Sequence, residues 1–293
     1  MNELNLWRPS NIIKAGTIGK NLLPNDGLLF DGRWESTDER GPGSLLYAID
    51  VIYEVTGHLF EPCDIFIPRV NNGTNILTDL KNFEVNKRGV NVSVPTADGI
   101  IVLNDDVYKK KKLIRLGASD CGPLLWRGKN SSGIIHVAHG GFFQEVNIID
   151  ELFKLLKEIE GLDLGSVQFA LGPTVDRLLF PASFHKKNIP SKFHSFVDEL
   201  IFLDPEDPIR IKTFDSCPSS EKKLLVYFTS LIVKYLIEVH GVNSENICNS
   251  NIDTANCGGN LPSEAFFSRR RDPFDDKLLR DLHYGNNLSF IAT

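Results

Sequence analysis

The sequence contains no run of about 20 apolar residues, the length a membrane-spanning helix needs. Its opening residues lack the long apolar core of a signal peptide. Cysteine is sparse: five residues (Cys63, Cys121, Cys217, Cys248, Cys257) in 293, an odd number too small for a disulfide framework. Free thiols and a cytoplasmic location are therefore expected. There is no excess of positive charge, since 32 Lys and Arg stand against 38 Asp and Glu for a net charge of −6. That balance argues against nucleic acid as the main partner. The short run Lys109–Lys112 follows Asp105 and Asp106 and reads as a solvated hairpin turn. Repeats and low-complexity tracts are absent, and Gly16–Asn21 lacks the Gly-Lys-Ser/Thr ending of a phosphate loop.

What is present is an ordinary globular composition, 42% hydrophobic and 24% charged, with material for a large core. The Gly-, Asn- and Pro-rich stretch Met1–Gly41 predicts irregular structure and edge strands. Helical spacing predicts a helix over Ser44–Val55, capped by Ser44 and ended by Gly57. Strands are predicted over Cys63–Val70, Asp98–Leu103, Lys112–Gly117, Gly133–Ala138, Ser166–Leu171 and Leu288–Ala292. Gln144–Gly161 carries an amphipathic stripe that includes Val146, and Lys222–His240 reads as the longest helix. Asp253–Asn260 reads as a turn-rich loop. Strands and helices mix without strict alternation, which predicts a layered α+β domain. Ser183–Ser191 and Leu203–Pro218 are the linker candidates, but neither has the composition of a flexible tether, so one domain is expected.

Chemistry concentrates between Ser119 and Phe142. Cys121 and His139 stand eighteen residues apart, each at the edge of an apolar run that reads as a buried strand. A thiol and an imidazole delivered in this way can form a metal half-site or a nucleophile–base pair. Gly140 and Gly141 leave room for a ligand or a backbone beside His139. His136, three residues earlier on the opposite strand face, reads as a structural residue. Asp120 braces the cysteine loop or caps a turn. Arg270 and Arg271 can hold a phosphate or a carboxylate by paired hydrogen bonds, or form a surface run with Asp272, Asp275 and Asp276. Cys257 reads as structural.

The order of motifs resembles a known family. Ala97–Val102 is followed by Ser119-Asp120-Cys121-Gly122-Pro123, then His139-Gly140-Gly141-Phe142, Leu171-Gly172-Pro173, a late Cys257, and Phe266-Phe267-Ser268-Arg269-Arg270-Arg271-Asp272. This resembles the YfiH-like family, also called the laccase-domain or multicopper polyphenol oxidase family. The resemblance covers residues 25–293 and leaves residues 1–24 as an N-terminal extension.

The resemblance implies a single α+β domain of four layers, α/β/β/α. It also implies a His–Cys–His site for zinc, or less readily copper. Cys121 matches the second ligand and His139 the third, whereas Asn71 stands where the first histidine is expected. Weak or absent zinc binding, regained in part by Asn71→His, is the consequence, unless His58 or His283 substitutes. The implied activity is that of a purine nucleoside enzyme: phosphorolysis of adenosine, inosine or methylthioadenosine, and adenosine deamination. Its partners would be a small-molecule nucleoside and phosphate, with no nucleic acid and no membrane, and Arg270, Arg271 and Asp120 would bind substrate. Phe142-Phe143-Gln144, Thr174 and Arg269 depart from the family pattern. The fold also resembles the catalytic domain of cytotoxic necrotizing factors, which implies metal-free deamidation or acyl transfer with Cys121 as nucleophile and His139 as base. A non-catalytic descendant that binds a nucleoside or a protein is the remaining expectation.

Overall fold

The computed structural model describes residues 6–7, 15–18, 52–86, 89–104, 111–118, 120–204, 222–254 and 287–293. Most of the predicted helix Ser44–Val55, most of the linker candidate Leu203–Pro218, the loop after residue 254, Cys217, Cys257, His283 and Arg269–Arg271 lie outside these residues.

Among the described residues, sixteen strands form three sheets. The seven-stranded sheet runs β1 (Leu6–Trp7), β2 (Ala15–Ile18), β16 (Asn287–Ala292), β8 (Leu113–Ala118), β3 (Ile65–Arg69), β6 (Asn91–Thr96), β5 (Phe83–Val85). The six-stranded sheet runs β15 (Ile247–Asn249), β11 (Gln168–Leu171), β9 (Gly122–Arg127), β10 (Ser131–Val137), β7 (Gly99–Leu103), β4 (Ile76–Leu77). A three-stranded sheet places β14 (Lys223–Tyr227) between β12 (Arg177–Pro181) and β13 (Leu200–Leu203). Besides the helical residues 52–56, the helices that accompany them are α1 (His139–Phe142), α2 (Ile148–Glu160), α3 (Ala182–Asn188) and α4 (Phe228–Glu238). The architecture is α+β, as the mixed pattern predicts.

The six-stranded sheet is buried on both faces, so its strands are apolar nearly throughout. Ile100, Val102, Leu125 and Ile134 on one face pack with Ile114, Leu116 and Ile291 of the seven-stranded sheet. Alternate residues Ile101, Leu124, Trp126 and Ile135 face the other way, onto α2, α4 and the three-stranded sheet. Two cores thus lie on either side of one sheet, and a residue's place in the strand alternation decides which core it enters.

Four predicted elements differ from the structure. β7 and β8 do not form a hairpin: β7 pairs with β10 in one sheet and β8 with β16 in the other. The segment Lys222–His240 begins as strand, because Leu224, Leu225 and Val226 pair with β12 and β13 before α4 starts. A short apolar run cannot be assigned to strand or helix by periodicity alone. Ser183–Ser191 is largely α3, followed by a 3-10 turn at Ser191–Phe193. Val146 is exposed, because α2 starts only after Asn147, whose side chain accepts from the N–H groups of Ile149 and Asp150, both at 2.9 Å.

Asp150 joins α2 to α4. Its carboxylate accepts from Asn147 N–H at 3.0 Å, Tyr235 Oη–H at 2.7 Å and Lys192 Nζ at 2.7 Å, and His240 Nε2 lies 3.2 Å away. Burial works to raise this carboxyl, but the bonds from His240, Lys192, Asn147 and Tyr235 hold it well below the usual carboxylate range. A depressed native value stabilises the fold above the ordinary 3.8, and that stability is lost as pH falls through the native value. Asp150→Ala is expected to cost about 3 kcal/mol, since it strands buried donors. Urea unfolding measures it, and a loss below about 1 kcal/mol would mean that the network is worth no more than a surface pair.

Candidate functional site

β9 and β10 are joined by a tight turn at Gly128–Asn130, and Arg127 pairs with Ser132. That register sets Pro123 opposite His136 and Gly122 opposite Val137. Residues opposite one another share a face. Cys121, two positions before Pro123, is therefore the diagonal neighbour of His136 on the same face. β7 flanks β10 on its other side, with Gly99 paired to Ile135. The next position sets Asp98 against His136, whose N–H donates to the Asp98 carbonyl at 2.6 Å. Asp98, His136 and Cys121 thus stand in a row across three adjacent strands, on the face turned toward the seven-stranded sheet. Cys121 packs at the margin of that inter-sheet core.

The row is electrostatically coupled. Asp98 is fully buried and His136 is 4% exposed. His136 Nδ1 lies 3.5 Å from Asp98 Oδ1, an ion-pair distance at the long limit for a hydrogen bond. Burial disfavours charge on the imidazole, but the Cys121 sulfur and the Asp98 carboxylate more than offset it and push His136 up to about 9. His136 is the imidazole that the thiol faces.

Asp98 is anchored by the loop between β3 and β4. The loop after β3 sends three backbone N–H groups to its carboxylate: Asn71 at 3.1 Å and Asn72 at 2.8 Å to Oδ1, and Gly73 at 2.9 Å to Oδ2. Asn72 adopts φ 62°, the left-handed conformation that aims successive N–H groups at one acceptor. α1 packs on this loop, and a Cβ on Gly141 would stand 2.8 Å from the Gly73 carbonyl oxygen.

The remaining sequence candidates are placed as follows. Asn71 lies on that loop and touches the row through its backbone. Its side-chain oxygen accepts from Gly73 N–H at 3.2 Å and its Nδ2 donates to Thr96 Oγ1 at 2.9 Å. His139 opens α1, and its ring meets Phe228 edge-on with centroids 4.6 Å apart. Phe228 belongs to the helix-side core, the face of the sheet away from the Cys121 row. Asp120 braces the cysteine loop: its carbonyl accepts from Thr174 Oγ1–H at 2.7 Å and Val175 N–H at 2.9 Å, and its carboxylate from Thr254 Oγ1–H at 3.0 Å. His58 rests edge-on against Phe60.

These residues do not fit a His–Cys–His zinc site. The Asn71 amide is engaged at both ends within its own loop and by Thr96, and a neutral amide is a weak zinc ligand. Among the described residues no three His, Cys, Asp or Glu side chains gather around a point that could hold a metal ion.

A cavity of about 340 Å³ lies beyond the bracing threonines, lined by Asp176, Arg177, Tyr227, Thr229 and Asp253 among others. Thr174, which touches the cysteine loop, bridges to Asp253 at its wall. Burial and the nearby Asp253 charge push the Asp176 carboxyl up, while Thr229 and Arg177 work against them. No local sequence signal marks this cavity, because its residues come from β12, the β14–α4 junction and the segment after β15.

No family model matches the sequence, and no curated protein is significantly similar to it. Solved structures are similar. Hypothetical protein YfiH of Bacillus licheniformis superposes with TM-score 0.59 at 15% identity, covering 94% of this chain and 91% of that one. YlmD of Geobacillus stearothermophilus gives 0.58 at 17% identity, covering 94% and 90%. The Neisseria meningitidis protein NMB0706, of DUF152, gives 0.57 at 12% identity, covering 95% and 92%. The chain therefore has the fold of YfiH, YlmD and DUF152 proteins, the fold that the motif order implied.

Proposed function

We propose that the chain is a cysteine-dependent enzyme acting on amides, by hydrolysis or acyl transfer, with Cys121 as nucleophile and His136, in place of His139, as its acid–base partner. The observation that supports it is the pairing of the thiol with a buried imidazole held at about 9 on the neighbouring strand. In the first step the Cys121 thiolate attacks the carbonyl carbon of a carboxamide. The C–N bond then breaks as His136 gives its proton to the departing amine, leaving a thioester on Cys121. In the second step neutral His136 takes a proton from water, whose oxygen attacks the thioester and releases the carboxylic acid and the thiolate.

The test needs no known substrate. Cys63 is exposed, whereas Cys121 is half-buried. Exposure alone makes Cys63 the faster thiol toward iodoacetamide. An imidazolium-paired thiolate makes Cys121 faster, by about tenfold or more at neutral pH. Mass spectrometry of the alkylated peptides reads the order directly. Faster alkylation of Cys63, or adenosine phosphorolysis that survives Cys121→Ala, would overturn the proposal.

A further inference from the structure

We infer that Asp98 and the loop Asn71-Asn72-Gly73 form a positioning device for His136, in which three backbone N–H groups of the β3–β4 loop fix a carboxylate that orients the imidazole. The inference rests on the Cys121–His136 reading and adds a third residue and a loop to it. An imidazole serves a thiol only in one ring orientation, and the group that faces its second nitrogen sets that orientation. Here that group is Asp98, 3.5 Å from Nδ1. The charged groups that face His136 are Asp98 from β7 and Cys121 from the start of β9. Asp98 has little freedom of its own: it is fully buried, and Asn71, Asn72 and Gly73 hold both its oxygens at 2.8 to 3.1 Å.

The loop is shaped for this contact. A Cβ on Gly73 would stand 2.9 Å from Asn71 Oδ1 and 3.3 Å from Asp98 Oδ2, so a side chain there pushes on the carboxylate itself. The donors lie on the loop that carries the chain from β3 of the seven-stranded sheet to β4, which pairs with β7 in the six-stranded sheet. The same loop accepts the Asp98 N–H at the Asn75 carbonyl, 2.8 Å away. A shift of this loop would move Asp98 and, with it, the ring that serves Cys121.

The experiment compares Asp98→Asn, Gly73→Ala and the natural protein by the rate of Cys121 alkylation with iodoacetamide across pH, with Cys63 as internal standard. The amide introduced by Asp98→Asn offers one oxygen where the loop's donors now meet two, and its N–H₂ group repels the rest. The ring then loses its fixed partner. Asp98→Asn is expected to slow Cys121 about tenfold or more at neutral pH and to displace its pH profile, with Cys63 unchanged. Gly73→Ala keeps every charge and alters only the clamp, and is expected to give a change of the same direction, about two- to fivefold. It keeps the test available if Asp98→Asn does not fold. A Cys121 profile identical to the natural one in whichever variant folds would overturn the inference. If the natural protein already alkylates Cys63 before Cys121, the Cys121–His136 reading itself has failed, and the two failures are separate.

Discussion

In the His136→Ala protein, Cys121 is expected to lose about tenfold or more of its alkylation rate at neutral pH and to behave as an ordinary half-buried thiol. The thiolate is the nucleophile, and the neighbouring positive charge favours it. Burial of the His136 ring works against that charge, but the Cys121 sulfur and Asp98 outweigh it, so the ring is charged at neutral pH. With His136 pushed up to about 9, the imidazolium beside Cys121 persists through neutrality and is lost as pH rises through that value. Any amide-cleaving activity that needs the imidazolium proton for its leaving amine is expected to fall over the same range. His139→Ala is expected to leave the rate of Cys121 within about twofold, since its ring packs on Phe228 in the other core. A large effect of His139 with none of His136 would restore the pairing that the motif order implies.

Gly133→Ala is expected to remove most of the stability of the fold. Gly133 sits in the middle of β10, and a Cβ there would run into the carbonyl oxygen of Ile100 and the ring of Trp126, which is fully buried. Neither can yield: one is backbone of the paired strand, the other a large ring fixed inside the helix-side core. The expected cost is about 3 kcal/mol or more, enough to leave a protein of ordinary stability largely unfolded or insoluble. Gly165→Ala is the control. Nothing lies within 4 Å of the added methyl, and its effect is expected to stay within about 0.5 kcal/mol. Chemical denaturation of both variants decides the point, and equal stabilities would mean that β10 packs more loosely than the register requires.

The fold class was legible in the sequence because it depends on mixed periodicities, and the motif order led to a fold that the structural likenesses bear out. The strands near the site were legible as apolar runs. Their sheet membership was not, since nothing local separates β7 and β8 into different sheets. The same limit hid His136. Its relation to Cys121 depends on which residue of β9 stands opposite which residue of β10, and a slip of one position moves a side chain to the other face. The signal was present in the turn Gly128–Asn130: counting outward from Arg127 and Ser132 reaches Cys121 on one strand and His136 beside it on the other. Asp98 was beyond local reach, because its role depends on donors some 25 residues earlier, at Asn71, Asn72 and Gly73. β14 was read as helix because Leu224, Leu225 and Val226 run directly into α4 without a break.

The most direct measurement of the central claim is the titration of the His136 imidazole by nuclear magnetic resonance, in the natural protein and in Cys121→Ala. With the sulfur gone, burial continues to disfavour the charge and Asp98 alone opposes it. The predicted result is a midpoint near 9 in the natural protein and a clear downward displacement in the variant. A midpoint at or below the ordinary 6.5, unmoved by removal of Cys121, would contradict it.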